Sequence, residues 1–314
     1  MISQSEDTTS EIDFVIQLEK IGILKGPGKC ICNSNFFNIR KDSSNKISNC
    51  CFRCHNYKCR KKYPIRINTF FSELPFQKMQ EVYEILLCFL CYDFNVEKEH
   101  KYLEETKNIK ISKITLLGIY QKIRNVIHQY MNIVYESEFI SEENKREFFS
   151  ADESLINHSN NSQIWLLGVI NNTTKQFRII GTTSRDTNAI SKFIKKFIFP
   201  GNTIISDSWT GYNWLNDPNS GYRHISFNHS NGSFGSGLAS TSHMESIWSI
   251  VKAKIKNIYY VIPNKNLFSF IREAEYKYLI KDKTNDEKIL DFFECYQVIN
   301  NVSDVNIPNY DFLD

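Results

Sequence analysis

Three acidic residues, Asp152, Asp207 and Glu245, lie in segments that otherwise have the apolar patterns of buried strands and of a packed helix. A carboxylate in such a position costs free energy unless it is paired, hydrated or bound to a cation. Mg²⁺ prefers oxygen ligands and keeps several of its waters, so a few carboxylates are sufficient to hold it. Two such ions about 4 Å apart suit an in-line displacement at phosphorus, because one activates the attacking oxygen and the other stabilises the leaving oxygen. The three acids therefore indicate metal-dependent phosphodiester chemistry.

The third acid lies in a segment that is predicted to be a helix from Ser242 to about Ile258. Its apolar residues recur at helical spacing and form one buried face: Met244, Ile247, Trp248, Val251, Ile255 and Ile258. Glu245 and Lys252 stand seven residues apart on one flank of that face, which fits a metal ligand followed by a phosphate contact. Lys254 and Lys256 extend the positive charge, as a DNA-facing edge requires. A solvated charged edge is the alternative explanation of this flank.

The elements that must position these acids follow one another in a recognisable order. β-Prone runs at 148–155, 163–170 and 177–183 are separated by Asn/Ser/Thr turns, and a predicted helix at 188–199 ends at Pro200-Gly201. An apolar strand at 203–207 and a short strand at 224–227 follow. This is the order of an RNase H-like α/β domain, a mixed sheet flanked by helices, which we assign to residues 146–280. Asp152 then lies inside the first strand, and Asp207 ends the fourth.

Six of the nine cysteines fall within residues 30–59, in a basic module assigned to residues 20–72. Structural zinc takes four thiolate or imidazole ligands, usually from two short-spaced pairs. The predicted ligands are Cys30, Cys32, Cys54 and Cys59. Neither pair has the ideal spacing, Cys50, Cys51 and His55 are competing ligands, and free structural thiols are the alternative.

The positive charge of the chain is concentrated in this module. Between Lys20 and Arg66 there are twelve Lys/Arg residues and one acid, Asp42, giving 12 − 1 = +11, so the remainder carries 3 − 11 = −8. A compact basic region on a mildly acidic body indicates a polyanion-binding module, and a flexible basic tail is the alternative. The predicted phosphate contacts are Lys58, Arg60, Lys61, Lys62 and Arg66.

The remaining segments complete a five-part division of the chain. Residues 1–19 are predicted to be an acidic tail, and residues 281–314 an acidic, Asn-rich C-terminal segment. Residues 73–145 have a helical period, which fits either a helix-turn-helix or a helical spacer. No apolar run approaches the ~20 residues of a membrane span, and the acidic start differs from a signal peptide. We therefore expect a protein that is neither secreted nor membrane-bound, with its thiols reduced.

Several motifs resemble one known family. Residues 146–280 look like the catalytic domain of bacterial insertion-sequence transposases related to the eukaryotic Merlin elements, within the DDE superfamily. The similar segments are Ala151-Asp152-Glu153-Ser154, Ser206-Asp207-Ser208-Trp209-Thr210-Gly211-Tyr212, Gly221-Tyr222-Arg223-His224, Phe227-Asn228-His229-Ser230, and Met244-Glu245-Ser246-Ile247-Trp248 with Lys252. Members often begin with a zinc ribbon, a basic stretch and a Ser/Thr-Phe-Phe segment, to which Arg66-Ile67-Asn68-Thr69-Phe70-Phe71 is similar.

The resemblance implies a transposase that cuts and joins DNA strands. It implies Mg²⁺ or Mn²⁺ at Asp152, Asp207 and Glu245, with Lys252 in the site, and Zn²⁺ in the N-terminal module. The implied partners are double-stranded DNA, as transposon ends and target, and further copies in a homodimer or larger synaptic assembly. The protein would work in the nucleus of a eukaryote and otherwise in the cytoplasm.

One departure from the family keeps two alternatives open. Relatives carry a His-Thr-Asn-like run just before the glutamate, where this chain has Ser240-Thr241-Ser242 followed by His243. Some relatives use that asparagine as the third ligand, so its absence leaves the role to Glu245. A non-catalytic DNA-binding protein derived from a transposase is the first alternative. A structure-specific nuclease on the same fold is the second.

Overall fold

The computed structural model describes residues 11–44, 47–92, 96–137, 139–140, 145–157, 163–227, 235–256, 264–302 and 311–313. The chain forms two compact units. The first contains Met1–Tyr130 and Ile280–Val305, and the second contains Met131–Leu279 and Asn306–Asp314. The sequence was divided into five parts, and most of the boundaries between those parts stay predictions.

The first unit combines a small antiparallel sheet with helices. Its elements are helix α1 (Glu11–Lys20), strands β1 (Phe37–Lys41), β2 (Cys50–Cys54) and β3 (Lys62–Pro64), a 3-10 helix (Phe70–Glu73), helices α2 (Met79–Cys91) and α3 (Val96–Lys107), the start of α4 (Lys113–Ser137), and α8 (Asn285–Asn301). The sheet has the order β1-β2-β3. Its strands bring the segments that carry the clustered cysteines together.

The predicted N-terminal tail is wrong where the structure describes it. Residues 11–19 belong to helix α1, which buries Phe14, Val15 and Leu18, while residues 1–10 lie outside the described part. The C-terminal segment contains α8, which contacts α2. Its Phe292 and Phe293 pack against Phe70 and Phe71 with ring centroids 5.1 Å apart in both pairs. Asp13, Glu19, Glu287 and Glu294 are exposed, as expected for the outer faces of amphipathic helices.

The second unit is built on a five-stranded mixed sheet. Its elements are the end of α4, β4 (Phe148–Asn157), β5 (Gln163–Asn171), β6 (Phe177–Thr182), α5 (Thr187–Phe197), β7 (Thr203–Asp207), 3-10 helices at Thr210–Asn216 and Pro218–Ser220, β8 (Arg223–Phe227), the short strands β9 (Gly235–Ser236) and β10 (Ala239–Ser240), α6 (Ser242–Lys256) and α7 (Asn264–Leu279). The strand order is β6-β5-β4-β7-β8. β4, β5 and β6 are antiparallel, and β7 and β8 run parallel to β4.

This arrangement confirms the predicted RNase H-like mixed sheet with helices on its faces. β5, β6 and β7 read as nearly continuous apolar runs and are largely buried, as expected for strands that are covered on both faces. Helices α6 and α7 pack on one face and share a core with β5 and β6. Helix α5 contacts β5 and β6 and buries Ile190, Phe193, Ile194 and Phe197. Its first turn is capped by Asp186, whose carboxylate accepts a hydrogen bond from the Ala189 amide at 2.8 Å.

Within the described part of the chain, no helix has both the length and the apolar character to cross a bilayer.

Candidate active site and metal centre

Asp152 lies in the middle of β4 and is held by two hydrogen bonds. The Glu153 amide donates to its Oδ1 at 2.8 Å, and the Trp248 indole Nε1 donates to its Oδ2 at 2.9 Å. Opposite Asp152 on β5 stands Gly168. A Cβ at Gly168 would lie 2.7 Å from the Trp248 ring and would also collide with Met244. The missing side chain of Gly168 therefore lets α6 approach the strand closely enough for Trp248 to reach Asp152.

We expect Gly168→Ala to displace α6 from the sheet. Overpacking of this kind costs about 1–3 kcal/mol, and the substitution also weakens the Trp248–Asp152 hydrogen bond. Thermal unfolding should show a lower melting temperature than that of the unchanged protein. Gly118→Ala is the matched control, because a Cβ at that position in α4 meets nothing within 4 Å and alanine favours a helix. Equal melting of the Gly168→Ala variant and the unchanged protein would contradict this packing.

Asp207 ends β7, and Asp207 and Asp152 each lie two residues beyond the last paired residues of the two strands. The parallel pairing of β4 with β7 matches Phe148 to Thr203 and Ser150 to Ile205. This is an offset of 203 − 148 = 55 residues, and Asp152 and Asp207 have the same offset, 207 − 152 = 55. The pairing stops at Ser150, so the two strands part just before the acids. The Trp209 amide donates to Asp207 Oδ1 at 2.9 Å and fixes that carboxylate at the strand end.

Glu245 comes to the same site on the first turn of α6. It is half-buried and precedes Trp248 by one helical turn. Burial raises the pKa of Asp152 to about 6 against the two hydrogen bonds that lower it, and the negative charges of Asp207 and Glu245 raise it further. The three predicted acids are therefore electrostatically coupled across β4, β7 and α6. In the described residues their carboxylate oxygens do not all lie within 4.8 Å of one another, as the ligand atoms of the cysteine group do.

The start of α6 is anchored by buried polar contacts that sequence reasoning did not find. Ser150 Oγ donates to the Ser240 carbonyl at 2.6 Å, and the Asn172 amide donates to the Leu238 carbonyl at 2.6 Å. Both ring nitrogens of His243 have partners within the protein. Its Nδ1 lies 3.2 Å from Lys175 Nζ, and its Nε2 lies 3.2 Å from the Gly237 carbonyl oxygen. The segment that replaces the family's His-Thr-Asn-like run thus fixes the helix that carries Glu245.

Glu153 is a fourth acid at the site, on the opposite face of β4. The buried Tyr212 donates a hydrogen bond to its carboxylate, but burial has the larger effect and raises the pKa of Glu153 to about 7, with the charges of Asp152 and Asp207 adding to it. Its Oε1 is buried and has no hydrogen-bond partner among the residues that the structure describes. Alternation along β4 was the available signal, because neighbouring residues of a strand face opposite sides of the sheet.

The lysines of α6 differ from one another in what they can contact. Lys252 is exposed two helical turns after Glu245 and stays a predicted phosphate contact. Lys254 Nζ forms an ion pair with the buried Glu273 of α7 at 2.5 Å, so it has a partner inside the protein. The side chain of Lys256 lies outside the described part.

The four predicted zinc ligands come together in the first unit. The Sγ atoms of Cys30, Cys32, Cys54 and Cys59 all lie within 4.8 Å of one another. Cys30 is 3.6 Å from Cys59, and Cys32 is 3.5 Å from Cys54. Thiolates at about 2.3 Å from a tetrahedral zinc ion would be about 3.8 Å apart. The donor set and its spacing therefore fit zinc.

Two loops, each closed by a backbone hydrogen bond, and two further hydrogen bonds surround the four-cysteine group. The Cys30 amide donates to the Ser34 carbonyl, and the Cys54 amide donates to the Lys61 carbonyl. Tyr63 donates to Cys30 Sγ at 3.3 Å, and the Asn56 amide donates to Cys32 Sγ at 3.7 Å. Donors around ligand sulfurs orient them and support their charge. The competing Cys50 is buried outside the group, and burial together with the charge of Glu11 raises the pKa of its thiol to about 11.

The basic residues of the module divide into exposed and buried members. Lys58, Arg60, Lys61 and Lys62 are exposed, although Lys62 also pairs with Asp42 at 3.1 Å. Arg66 is a correction to the predicted DNA contacts, because it is only 8% exposed. Its guanidinium donates to Ser48 Oγ at 3.0 Å and to the Leu74 carbonyl at 2.7 Å. Arg66 thus stabilises the fold and is removed from the phosphate-binding set.

Comparison with known proteins gives one family and several similar structures. A family model described as an ISXO2-like transposase domain matches residues 113–278, more than half of the 314 residues. No match was found among curated proteins.

Solved structures similar to this chain include viral integrase core domains and an intasome. The HTLV-2 integrase catalytic core domain in complex with magnesium (dimeric form) has 11% identity and a TM-score of 0.31, over 42% of this chain and 84% of that one. The BIV integrase catalytic core has 10% identity and a TM-score of 0.31, over 45% and 86%. The simian T-cell lymphotropic virus intasome in complex with PP2A regulatory subunit B56 gamma has 13% identity and a TM-score of 0.32, over 57% and 67%.

Proposed function

Because the chain belongs to the ISXO2-like transposase domain family, we propose that it cuts and joins DNA strands at Asp152, Asp207 and Glu245 with Mg²⁺ or Mn²⁺. The observation that supports these residues is their coupling at one end of paired parallel strands. Asp152 and Asp207 each lie two residues beyond the end of the β4–β7 pairing, and the charges of Asp207 and Glu245 both raise the pKa of Asp152. Clustered, partly buried carboxylates repel one another without a cation, which is the condition that a divalent metal relieves. The narrower likeness to Merlin elements stays a prediction.

Each residue of the site has a distinct part in this reaction. Divalent metal ions supply activation of the attacking oxygen and charge stabilisation of the leaving oxygen. Asp152 and Asp207 provide oxygen ligands whose orientations are fixed by Trp248 and by the Trp209 amide. Glu245 provides the third carboxylate from α6, and Lys252 binds a phosphate of the DNA strand. Rigid ligands of this kind need little reorganisation during the reaction.

The first unit supplies the DNA-binding part of the proposal. Zn²⁺ bound by the four-cysteine group holds the two turns of the module together. The exposed residues Lys58, Arg60, Lys61 and Lys62 bind backbone phosphates of the transposon ends. Two ends must be held together for joining, so a homodimer or a larger synaptic assembly acts on the two ends and the target. The reaction takes place where the DNA is, in the nucleus of a eukaryote and otherwise in the cytoplasm.

A strand-transfer assay tests this function. The full chain is incubated with a plasmid that carries the sequences flanking its gene, with Mg²⁺, Mn²⁺ or EDTA. We expect nicks at the ends of inverted repeats and joined products only with the metals. Cleavage without joining would instead identify a structure-specific nuclease, and metal-independent cleavage would contradict the proposed site.

One observation favours a second candidate, a non-catalytic DNA-binding descendant of a transposase. Ser240-Thr241-Ser242 replaces the family's His-Thr-Asn-like run, and the three acids are not gathered as tightly as the cysteine ligands. Titration calorimetry separates the two functions. A non-catalytic scaffold binds DNA but shows no Mg²⁺ binding that depends on Asp152, whereas the transposase shows both.

A further inference from the structure

An arginine contacts two tryptophans near the carboxyl ends of β4 and β7, the strands that carry Asp152 and Asp207. Arg185 directly precedes the N-cap residue of α5, Trp165 lies near the start of β5, and Trp209 follows Asp207 by two residues. The Arg185 Cζ lies 4.2 Å from the ring centroid of Trp165 and 3.8 Å from that of Trp209. Trp165 pairs with Leu155 near the end of β4, so the stack and the acids lie near the same strand ends.

The position of this stack is tied to Asp207. The Trp209 amide donates to Asp207 Oδ1 at 2.9 Å, and the Trp209 indole Nε1 donates to the Arg185 carbonyl at 3.3 Å. A Cβ at Gly211 would lie 2.8 Å from Trp209 Nε1, so the turn after Asp207 needs glycine for the ring to fit. Trp209 therefore fixes the positions of both the Asp207 carboxylate and the Arg185 backbone.

The N–H donors of the Arg185 guanidinium have no hydrogen-bond acceptor among the residues that the structure describes. An arginine has five N–H donors that lie in the plane of the guanidinium. A contact between the cation and a ring face uses none of these N–H donors as a conventional hydrogen bond, and Arg185 is half-buried rather than enclosed. In the parts of the chain that the structure describes, the guanidinium donates to no carboxylate or carbonyl within hydrogen-bond distance, and it forms no ion pair. Glu153 is close enough for the charge of Arg185 to lower its pKa, but the two are not paired.

We propose that Arg185 binds a backbone phosphate of the DNA strand beside the phosphodiester that is cut at Asp207. Arginine suits this contact because its planar fork binds phosphate oxygens in pairs while its faces stack on aromatic rings. The two tryptophans restrict the arginine before DNA arrives, which lowers the entropy lost on binding. The inference rests on the proposed function and adds a substrate-binding residue that none of the predicted site residues includes.

The salt dependence of DNA binding tests this contact. Affinity of the full chain for a random-sequence DNA duplex is measured over a range of salt concentrations for the unchanged protein, Arg185→Gln and Arg185→Met. Loss of one phosphate contact should reduce the slope of log K against log salt by about 0.9, and affinity near physiological salt should fall about tenfold. Methionine still packs between the rings, so it separates loss of the contact from loss of the stack. Arg223→Gln removes the same charge from an exposed residue at the start of β8, the opposite edge of the sheet, and should leave the slope unchanged.

The outcomes distinguish this inference from the function on which it rests. Unchanged slopes for both Arg185 variants would overturn the phosphate contact, and so would an equal decrease for Arg223→Gln. A weaker affinity with an unchanged slope would also overturn it, since that pattern indicates a structural role. If the unchanged protein bound DNA and joined strands, only the inference would fail. If it did not bind DNA at all, the proposed function and this contact would both fail.

Discussion

Asp152→Asn is expected to abolish strand cleavage while making the metal-free protein more stable. A metal ion held at the proposed site would supply several kcal/mol of charge stabilisation to the transition state. Losing about 4 kcal/mol of it lowers the rate about 10³-fold. The opposite change in stability follows from the burial of a charged carboxylate next to Asp207 and Glu245, which a neutral amide avoids.

The sign of the stability change follows from the direction of the pKa shift. The pKa of Asp152 is raised from 3.8 to about 6, so between these values the folded protein binds more protons than the unfolded chain. Stability therefore falls as pH rises from about 4 to about 6, and the loss persists above that range. Asparagine removes this penalty, but it accepts the Trp248 hydrogen bond less well. We expect a net gain of about 1–2 kcal/mol in the free energy of unfolding near pH 7.5.

Three measurements on one set of variants test this expectation. Cleavage is measured with Mg²⁺, thermal unfolding is measured in EDTA, and the rise in melting temperature on adding Mg²⁺ reports metal binding. Asp217→Asn is the matched control, because Asp217 is exposed and caps the 3-10 helix at Pro218–Ser220 with a role that asparagine fills equally well. Retained cleavage by Asp152→Asn would contradict the proposed site. A variant that lost both activity and stability would contradict the burial argument.

The sheet and its helices could be predicted because local patterns and tertiary packing agree in this part of the chain. The predicted strand at 203–207 matches β7, and the helix predicted from Ser242 begins at that residue. Asp207 was placed at the strand end by the stop in apolar residues after Ile205. The four cysteines were chosen from six by spacing, and the structure brings those four together.

Roles that depend on contacts between residues far apart in the chain could not be predicted from the sequence. Glycine is unfavourable inside a strand, so the sequence alone gives no reason for Gly168. The close packing of Trp248 against it provides the reason. The same holds for Arg185, whose two ring partners lie 20 and 24 residues away along the chain. Arg66 shows the reverse error, since its membership of a basic run suggested a DNA contact while its burial was not visible. The composition of a segment indicates its average exposure and charge. The roles of Gly168, Arg185 and Arg66 depend instead on the particular residues that contact them in the fold.

Helix α1 was missed for a related reason. The segment before Lys20 is acidic, and its short apolar stripe of Phe14, Val15 and Leu18 is too brief to predict a stable helix by itself. Burial of these three residues stabilises α1, so its existence depends on the unit against which it packs. Asp13 and Glu19, two of the acids that suggested a tail, are exposed on this helix.

Removing zinc from the N-terminal module is expected to have the largest effect on its fold. Structural zinc sites of this kind supply about 10 kcal/mol or more of folding free energy, which is comparable to the whole stability of a typical domain. The sheet around the cysteines is small, with strands of five, five and three residues. Chelation or Cys54→Ser should therefore unfold the module and abolish tight DNA binding.

The variants and controls follow from where each cysteine lies. Metal content is measured by mass spectrometry and affinity by DNA titration, for the unchanged protein, Cys54→Ser and Cys91→Ser. Cys91 lies at the end of α2 outside the metal group, so Cys91→Ser should keep one zinc per chain and full affinity. If the four cysteines were free structural thiols, the purified protein would contain no zinc and chelators would leave DNA binding unchanged. Loss of zinc from Cys91→Ser, or its full retention by Cys54→Ser, would show that the ligand set is different.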